Sequence, residues 1–478
     1  MVHSRQAQFP LLVLVMTCLS TAVFQARASE PYQLRLPLDG TPRWQQVQLK
    51  LEVTGQVLMR DGQGKENRQQ VSVEGHHAYE EGVIFGGLGQ SQEQTVSSVR
   101  AVRLYQPPRV VMMVGQTRLV PRLRANRRTV LMSSRDGKIS MTALSGALTR
   151  EELDLIRIQG DSALLPLMLP IEPVEVDDSW SLPRQLVTAL LNLDRVDRST
   201  VQGTLSSVKE SIATVTLAGT VQGTVEAVAA TITLRGTIHV NLRSHRIDRV
   251  ELKIEEKRAI GRAQPGLDVS ARLSASFRPL AGPFQVSPDM LAEAAGRPVA
   301  GDELLEFQPR QSDYRLLHDP HWYVTSDRSS LALLRFIDEG KVLAQCTISR
   351  LPSASRLPAS LEQFQRDVHS SLGDSFRQFV EASEELTTNK LQVMRVVAEG
   401  VSQELSVVWI YYHVQDPEGR RVAVSFSVPA TLVADFATAD RSLIATLTFD
   451  SQRTRQLEGT PVGAGSSNSS KPSQSVPR

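Results

Sequence analysis

Between residues 199 and 278 apolar side chains recur at every second position. The runs fall at 213–217, 229–234, 238–242, 250–254 and 267–277. A period of two belongs to β-strands with one face in a core and one in water. Connections such as Lys209-Glu210-Ser211 and Arg243-Ser244-His245-Arg246 are too short for a crossover helix, so neighbouring strands pair antiparallel. Val201-Gln202-Gly203-Thr204 returns as Val221-Gln222-Gly223-Thr224. Four residues do not make a repeat architecture; they read as equivalent strand positions where glycine permits a bend.

The same period appears upstream. Val47, Leu49, Leu51 and Val53 alternate with Gln48, Lys50 and Glu52, Asp61-Gly62-Gln63-Gly64 supplies a turn, and Val71 and Val73 begin the next strand. Residues 109–114 are a further strand. Two helices interrupt. Thr149 and Glu152 have capping-box spacing, with Leu153 and Ile156 following on one face. Pro183 suits another helix start, with Leu186, Leu190 and Leu193 spaced for burial. Residues 29–280 therefore predict a β-rich domain, a curved, half-barrel-like antiparallel sheet with inserted helices.

Residues 281–305 form a linker in which Ser287-Pro288 caps and starts a short helix that ends at Gly296. Residues 306–450 mix helix and strand. Strands at 331–336 and 342–348 flank the hairpin signal Asp338-Glu339-Gly340. Ser360 caps a helix with Gln363 at the box position, a stripe of Leu361, Phe364, Val368 and Leu372, and Gly373 as its stop. Strands at 391–399, 405–414 and 421–428 follow, then a short helix from Pro429 and a last segment capped by Asp440. Residues 451–478, rich in Ser, Gly, Pro and Gln, predict a disordered tail. Asn468-Ser469-Ser470 within it fits a glycosylation acceptor by pattern alone.

Residues 1–28 read as a secretory signal. His3 and Arg5 open it, an apolar stretch runs from Leu11 to Phe24, and Ala26-Arg27-Ala28 is an A-x-A cleavage pattern before Ser29. The alternative is an uncleaved anchor, and Cys18 lacks a lipobox. Of 53 basic residues the leader holds Arg5 and Arg27, and of 51 acidic residues none, so cleavage leaves the two signs equal. That balance argues against nucleic acid, which needs clustered excess cation. The mature chain keeps one cysteine, Cys346, in an apolar run that reads as a core strand, so no internal disulfide forms.

Two segments carry likenesses. Tyr314-Arg315-Leu316 precedes Trp322, Leu343-Ala344-Gln345-Cys346 leads to the helix at 361–372, and Trp409-Ile410-Tyr411-Tyr412 with 421–428 precedes a C-terminal helix. In that order and spacing, 306–450 resembles the PsbP/Mog-type domain of photosystem II extrinsic subunits and a Ran-binding factor. The resemblance implies an α+β sandwich used mostly for docking and transfers no contact residues. Leu148-Thr149-Arg150-Glu151-Glu152-Leu153, Val176-Asp177-Asp178-Ser179-Trp180, Pro265-Gly266-Leu267-Asp268-Val269 and Trp409-Ile410-Tyr411-Tyr412-His413 are similar to segments of secreted two-domain proteins of planctomycete-type bacteria. That implies location and architecture only.

Candidate chemistry reads mostly as structure. His318-Asp319-Pro320-His321 lacks helical geometry and a third ligand, so it reads as a polar turn into Trp322. His76 and His77 point to opposite faces of a strand. Gly86-Gly87-Leu88-Gly89 lacks the following residues of a phosphate loop and reads as a hairpin loop. Asp177-Asp178 reads as a surface turn with Trp180 as anchor. Arg118, Arg122, Arg124, Arg127 and Arg128 read as a solvated basic hairpin rather than an anionic-surface site. No G-x-S-x-G, H-E-x-x-H, C-x-x-C or EF-hand pattern occurs.

The expectation is an α+β chain: a signal peptide, the β-rich domain 29–280, the linker, a PsbP/Mog-like domain at 306–450 and the tail. Its function is expected to be non-catalytic binding or protein interaction in the cell envelope, secreted or periplasmic, with no catalytic, cofactor or metal residues assigned. The alternatives are a carrier of a lipid or other hydrophobic ligand and an extracytoplasmic hydrolase. The partner is an unknown protein or hydrophobic ligand, and membrane contact is confined to an uncleaved leader.

Overall fold

A computed structural model describes residues 31–450 apart from short breaks, the longest being 87–97 and 297–303. The leader, the tail and its Asn468 triplet, Gly87 to Gly89 and part of the linker lie outside the described residues.

The first unit is built on β1 (Arg43–Arg60), β2 (Glu66–Ile84), β3 (Arg100–Tyr105), β4 (Arg109–Val114), β5 (Thr117–Leu119), β6 (Thr129–Arg135) and β7 (Lys138–Ala143). After helix α1 (Arg150–Ile156) come β8 (Ser179–Ser181), helix α2 (Arg184–Leu190), β9 (Arg195–Ser199) and β10 (Gln202–Lys209). Then follow β11 (Ile212–Val225), β12 (Val228–Asn241), β13 (Arg246–Arg258) and β14 (Gly266–Pro279). They make one 14-stranded antiparallel sheet whose path runs β7-β6-β3-β2-β1-β14-β13-β12-β11-β10-β8. The sheet is open: its first and last strands do not meet. In its middle β1 pairs with β14, so the two sequence ends of the unit join. Two long strands each carry two partners on one edge. β2 pairs with β4 through 71–76 and with β3 through 79–84, and β11 pairs with β10 and then β9.

One face of this sheet holds the core. Val47 and Leu49 of β1, Ile232 and Leu234 of β12, and Ile254 of β13 meet Leu153 and Ile156 of α1, Leu186 and Leu190 of α2, and the 3-10 turn Leu165–Met168. The capping box is present: Thr149 Oγ1 accepts from Glu152 N, and Glu152 Oε2 accepts from Thr149 N. Gly203 and Gly223 both sit in strands crossed closely by a neighbour, and the β9–β11 register shifts at Gln222/Gly223. A Cβ on Gly203 would lie 2.7 Å from the Trp180 indole, and one on Gly223 would lie 2.4 Å from the Arg195 carbonyl. Each glycine admits the strand or ring that crosses it. At the β2–β3 end the linker helix α3 (Pro288–Gly296), started by Ser287 Oγ accepting from Met290 N, places Leu291 beside Val102 on the opposite face.

The second unit begins with β15 (Leu305–Phe307) and β16 (Tyr314–His318), then β17 (Trp322–Arg328), β18 (Leu331–Asp338) and β19 (Lys341–Leu351). Helix α4 (Leu361–Leu372) leads to β20 (Phe376–Leu386), β21 (Gln392–Ser402), β22 (Leu405–Gln415) and β23 (Arg421–Pro429). Helices α5 (Val433–Phe436) and α6 (Ala439–Ala445) and β24 (Thr448–Phe449) close it. A 7-stranded antiparallel sheet runs β17-β18-β19-β23-β22-β21-β20, and β15-β16-β24 form a small second sheet. Ile410, Tyr412 and Val414 of β22 join Phe436, Leu443 and Ile444 in the core, while His413 meets Phe364 of α4 on the other face. Trp322, Phe426 and Phe436 pack ring against ring at its centre.

Two expectations are corrected here, and one strand is added. Of the α4 stripe only Val368 is fully buried, because the helix lies on a sheet end with little above it. Asp440 does not cap α6; it sits inside the first turn and accepts from Tyr412 Oη at 2.7 Å and from Arg395 Nε at 3.1 Å. β20 was not expected at all.

The whole is a β-rich α+β structure in which the described residues form two large hydrophobic cores and a small cluster under α3. β15 belongs to both large cores: Leu305 is buried in the first and Phe307 in the second. Between them Glu306 N donates to the Leu148 carbonyl at 2.7 Å, and Glu306 Oε2 accepts from Arg124 Nη1 at 2.7 Å.

Candidate functional site

A cleft of about 810 Å³ lies where the two units face each other. Helix α1 supplies one wall. Arg150 and Asp154 stand four residues apart, the spacing that brings side chains onto one helix face, and Arg157 follows at the C-cap. Asn192 and Asp194 enter from the turn after α2, Glu226 from the β11–β12 turn, and Glu256 and Arg258 from the end of β13. The second unit contributes His321, Tyr323 and Asp338.

Two contacts tie the walls together. Tyr323 Oη donates to Glu226 Oε1 at 2.5 Å. The Arg150 guanidinium lies 5.0 Å from the centre of the Tyr323 ring, and its Nη2 donates to the Pro320 carbonyl. Two of the cleft's five carboxylic acids, Asp154 and Glu226, are biased toward the neutral form. Asp154 keeps contact with water, yet protein crowds around it, and that loss of solvation raises its pKa against the pull of Arg150 and Arg157. Glu226 is raised by burial too, partly offset by the Tyr323 hydrogen bond. The Tyr323 phenol is pushed up by burial and then by Glu226.

The cleft leaves polar atoms unmatched. Arg150 Nε, Arg157 Nε and Asn192 Oδ1 are buried without a hydrogen-bond partner. Two donors and an acceptor at one cleft form a demand that a ligand or ordered water meets.

The His318-Asp319-Pro320-His321 motif is divided by the cleft wall. His318 is buried, its Nδ1 2.8 Å from the Asp319 carbonyl, and burial pushes it down to about 4. His321 faces the cleft with Nδ1 2.5 Å from Asp319 Oδ1, a contact that raises its pKa. Trp322 N closes the turn onto the Asp319 carbonyl at 2.9 Å. An Asp-oriented histidine is half of a hydrolytic arrangement. Among the described residues lining the cleft no serine or cysteine stands beside it. No group of three or more metal-ligating side chains converges among the described residues.

The remaining motifs lie elsewhere. His77 is buried and pushed down to about 4 by burial, while His76 is exposed on the other face of β2. Asp178 closes a turn by accepting from Glu175 N at 2.7 Å, and Trp180 Nε1 donates to the Met168 carbonyl at 2.8 Å. Cys346 is buried, and burial pushes its thiol well up. The basic run divides: Arg118 and Arg122 are exposed, as a solvated hairpin would have them, while Arg124 and Arg127 are tied into the fold. Arg124 clamps Glu152 with Nε and Nη2, each at 2.7 Å, and reaches Glu306 of the second unit; Arg127 donates to the carbonyls of Ala147 and Ser145. Zero net charge favoured solvation, but a charge total carries no positions. Arg118, Arg122 and Arg128 take no part in that clamp; Arg122 and Arg128 line a separate groove of about 520 Å³.

Sequence reasoning missed a sealed charge cluster in the first core. Arg103 Nε meets Glu81 Oε1 at 2.8 Å, and Nη1 and Nη2 meet the two oxygens of Asp161 at 2.8 and 2.5 Å. Ser162 Oγ and Gln45 Nε2 also donate to Glu81, both at 2.7 Å. Arg103 and Glu81 face each other directly across the β2–β3 pair. All four hydrogen bonds of the two acids to charged or hydroxyl groups are internal, so the cluster is a structural polar knot.

No family model and no curated protein matches the chain. Among solved structures it is similar to the Ran-binding protein Mog1p of Saccharomyces cerevisiae, at 12% identity and a TM-score of 0.25, over 31% of this chain and 97% of that one. It is similar to cyanobacterial PsbP from Synechocystis sp. PCC 6803, at 12% identity and a TM-score of 0.24, over 32% of this chain and 95% of that one. A match to lipovitellin, at 7% identity and a TM-score of 0.23, covers 52% of this chain and 26% of that one. These are weak likenesses at the level of fold.

Proposed function

We propose that this is an exported binding protein that holds a polar ligand, rich in hydrogen-bonding groups, in the cleft between its two units. The observation that carries the reading is the set of unmatched atoms there, Arg150 Nε, Arg157 Nε and Asn192 Oδ1, in a space of about 810 Å³. Ligand pockets of roughly 300–1,000 Å³ are ordinary, and buried polar groups need partners. The cleft carries five cationic side chains of lysine and arginine and five of aspartate and glutamate, which suits a neutral or zwitterionic ligand better than a polyanion.

Export, the envelope location and the two-domain organisation rest on the leader pattern at 1–28, the apolar patterning and the resemblances described above. The non-catalytic role rests on the sequence motifs alone; the described lining beside His321 offers Lys138, Thr224 and Tyr323 but no serine or cysteine. The carrier reading receives less support. The core face of the large sheet is filled by α1, α2 and the Leu165–Met168 turn, and the pocket beside it measures about 40 Å³.

Native mass spectrometry of the chain purified from its own envelope tests the proposal. The expected result is a chain beginning at Ser29 that retains a polar species, with retention lost in an Arg157→Gln/Asn192→Ala variant. A ligand-free chain, or retention that ignores both substitutions, overturns it. Chemical turnover of the retained species overturns the non-catalytic part alone.

A further inference from the structure

A second pocket, in the first unit and apart from the cleft, is built around arginine. Arg35 is only 4% exposed. Its guanidinium makes one long hydrogen bond, Nη1 to the Pro166 carbonyl at 3.4 Å. Burial and the nearby Arg43 both work against its charge and lower it to about 10. Arg43, His245 and Arg246 line the same pocket, and among its described lining residues there is no aspartate or glutamate. Glu81 sits behind the wall, bonded to two lining residues, Gln45 and Ser162, but its remaining capacity is taken by Arg103. The rest of the lining is apolar, Phe85, Leu169 and Phe277 among it.

A buried cation with no counter-charge is costly to the fold unless something brings a negative charge to it. Three arginines, Arg35, Arg43 and Arg246, line one small space, and guanidinium forks match the two oxygens of a carboxylate. The space, about 40 Å³, holds a few waters or one small charged group. We propose that this pocket is an anion site that takes a carboxylate group or a small oxyanion, with Arg35 as its buried ligand and Arg43 and Arg246 at its sides. The anion is either free or the head of an amphipathic acid whose tail lies along Phe277 and Leu169.

Thermal melting of the chain starting at Ser29 tests this against acetate, inorganic phosphate and decanoate, each compared in identical solutions with Arg35→Met. That pairing cancels non-specific salt effects. The expected result is that at least one probe raises the wild-type midpoint and leaves Arg35→Met unmoved. Direct titration calorimetry of the wild type and of the more solvent-accessible Arg246→Met keeps the test valid if Arg35→Met folds poorly. There the affinity for the active probe falls about tenfold or more, the scale of a lost hydrogen bond to a charged group. A response to acetate or phosphate identifies a free anion, and a response to decanoate alone identifies an amphipathic acid. No response to any probe, or equal responses in wild type and both variants, overturns the site. None of these readouts depends on the cleft ligand.

Discussion

Arg103 and Arg35 lie in the same unit, each nearly sealed from water, and are treated in opposite ways. Arg103 has a carboxylate on two sides and every fork of its guanidinium occupied. Arg35 has one long bond to a carbonyl and another arginine nearby. The first is a closed account of charge, and the second stays open until an anion arrives. Burial therefore does not by itself separate a structural arginine from a binding one; the partners do.

The contrast breaks most visibly on removal of Arg103. Arg103→Met leaves Glu81 and Asp161 buried without their cation and is expected to cost about 3–5 kcal/mol in urea unfolding. Adding Glu81→Gln and Asp161→Asn recovers much of it; an equal loss in the triple variant shows that packing, not charge, holds the knot. Acid offers a control that touches neither arginine. His77 and His318 are neutral in the fold because burial lowers both to about 4, against an ordinary value near 6.5. The unfolded chain binds those protons first, so stability is full above pH 6.5 and declines as pH falls toward 4. The expected slope is that of up to two protons taken up on unfolding; a flat profile between pH 7 and 5 in either arginine variant contradicts it.

Smaller effects sharpen the picture. Tyr323→Phe removes the bond to Glu226 across the cleft and is expected to cost about 0.5–1.5 kcal/mol and to make ligand affinity more dependent on pH through Glu226. Unchanged unfolding and unchanged affinity show that the bond does not hold the cleft. Smallest of all, Arg35→Met in anion-free buffer is expected to leave stability within about 1 kcal/mol of wild type or to raise it, the reverse of Arg103→Met. A large loss there shows that Arg35 already has all the partners it needs.

What was legible in the residues follows the same physics. The strands at 199–278 declared themselves because each has one dry face and one wet one. β20 did not: it pairs only with β21, almost all its side chains face water, and Glu381, Glu384 and Glu385 carry the charge that keeps a sheet edge from pairing further. The helix starts at Thr149, Ser287 and Ser360 were readable because a cap acts over three or four residues. The Arg103 knot was not, since Glu81 and Arg103 meet only through strand register and Asp161 arrives from a loop after α1. The cleft was hidden for the same reason: Arg150 and Tyr323 become neighbours only once both units are folded.

The three residues of β15 set how this molecule yields. Because Leu305 is seated in one interior and Phe307 in the next, neither half can come apart without uncovering an apolar side chain of the other. A blade of three residues then links the two interiors, and a pull applied at Asp450 is passed through that rivet to the start of α1 and the β7 end of the large sheet rather than spent on a loose tether.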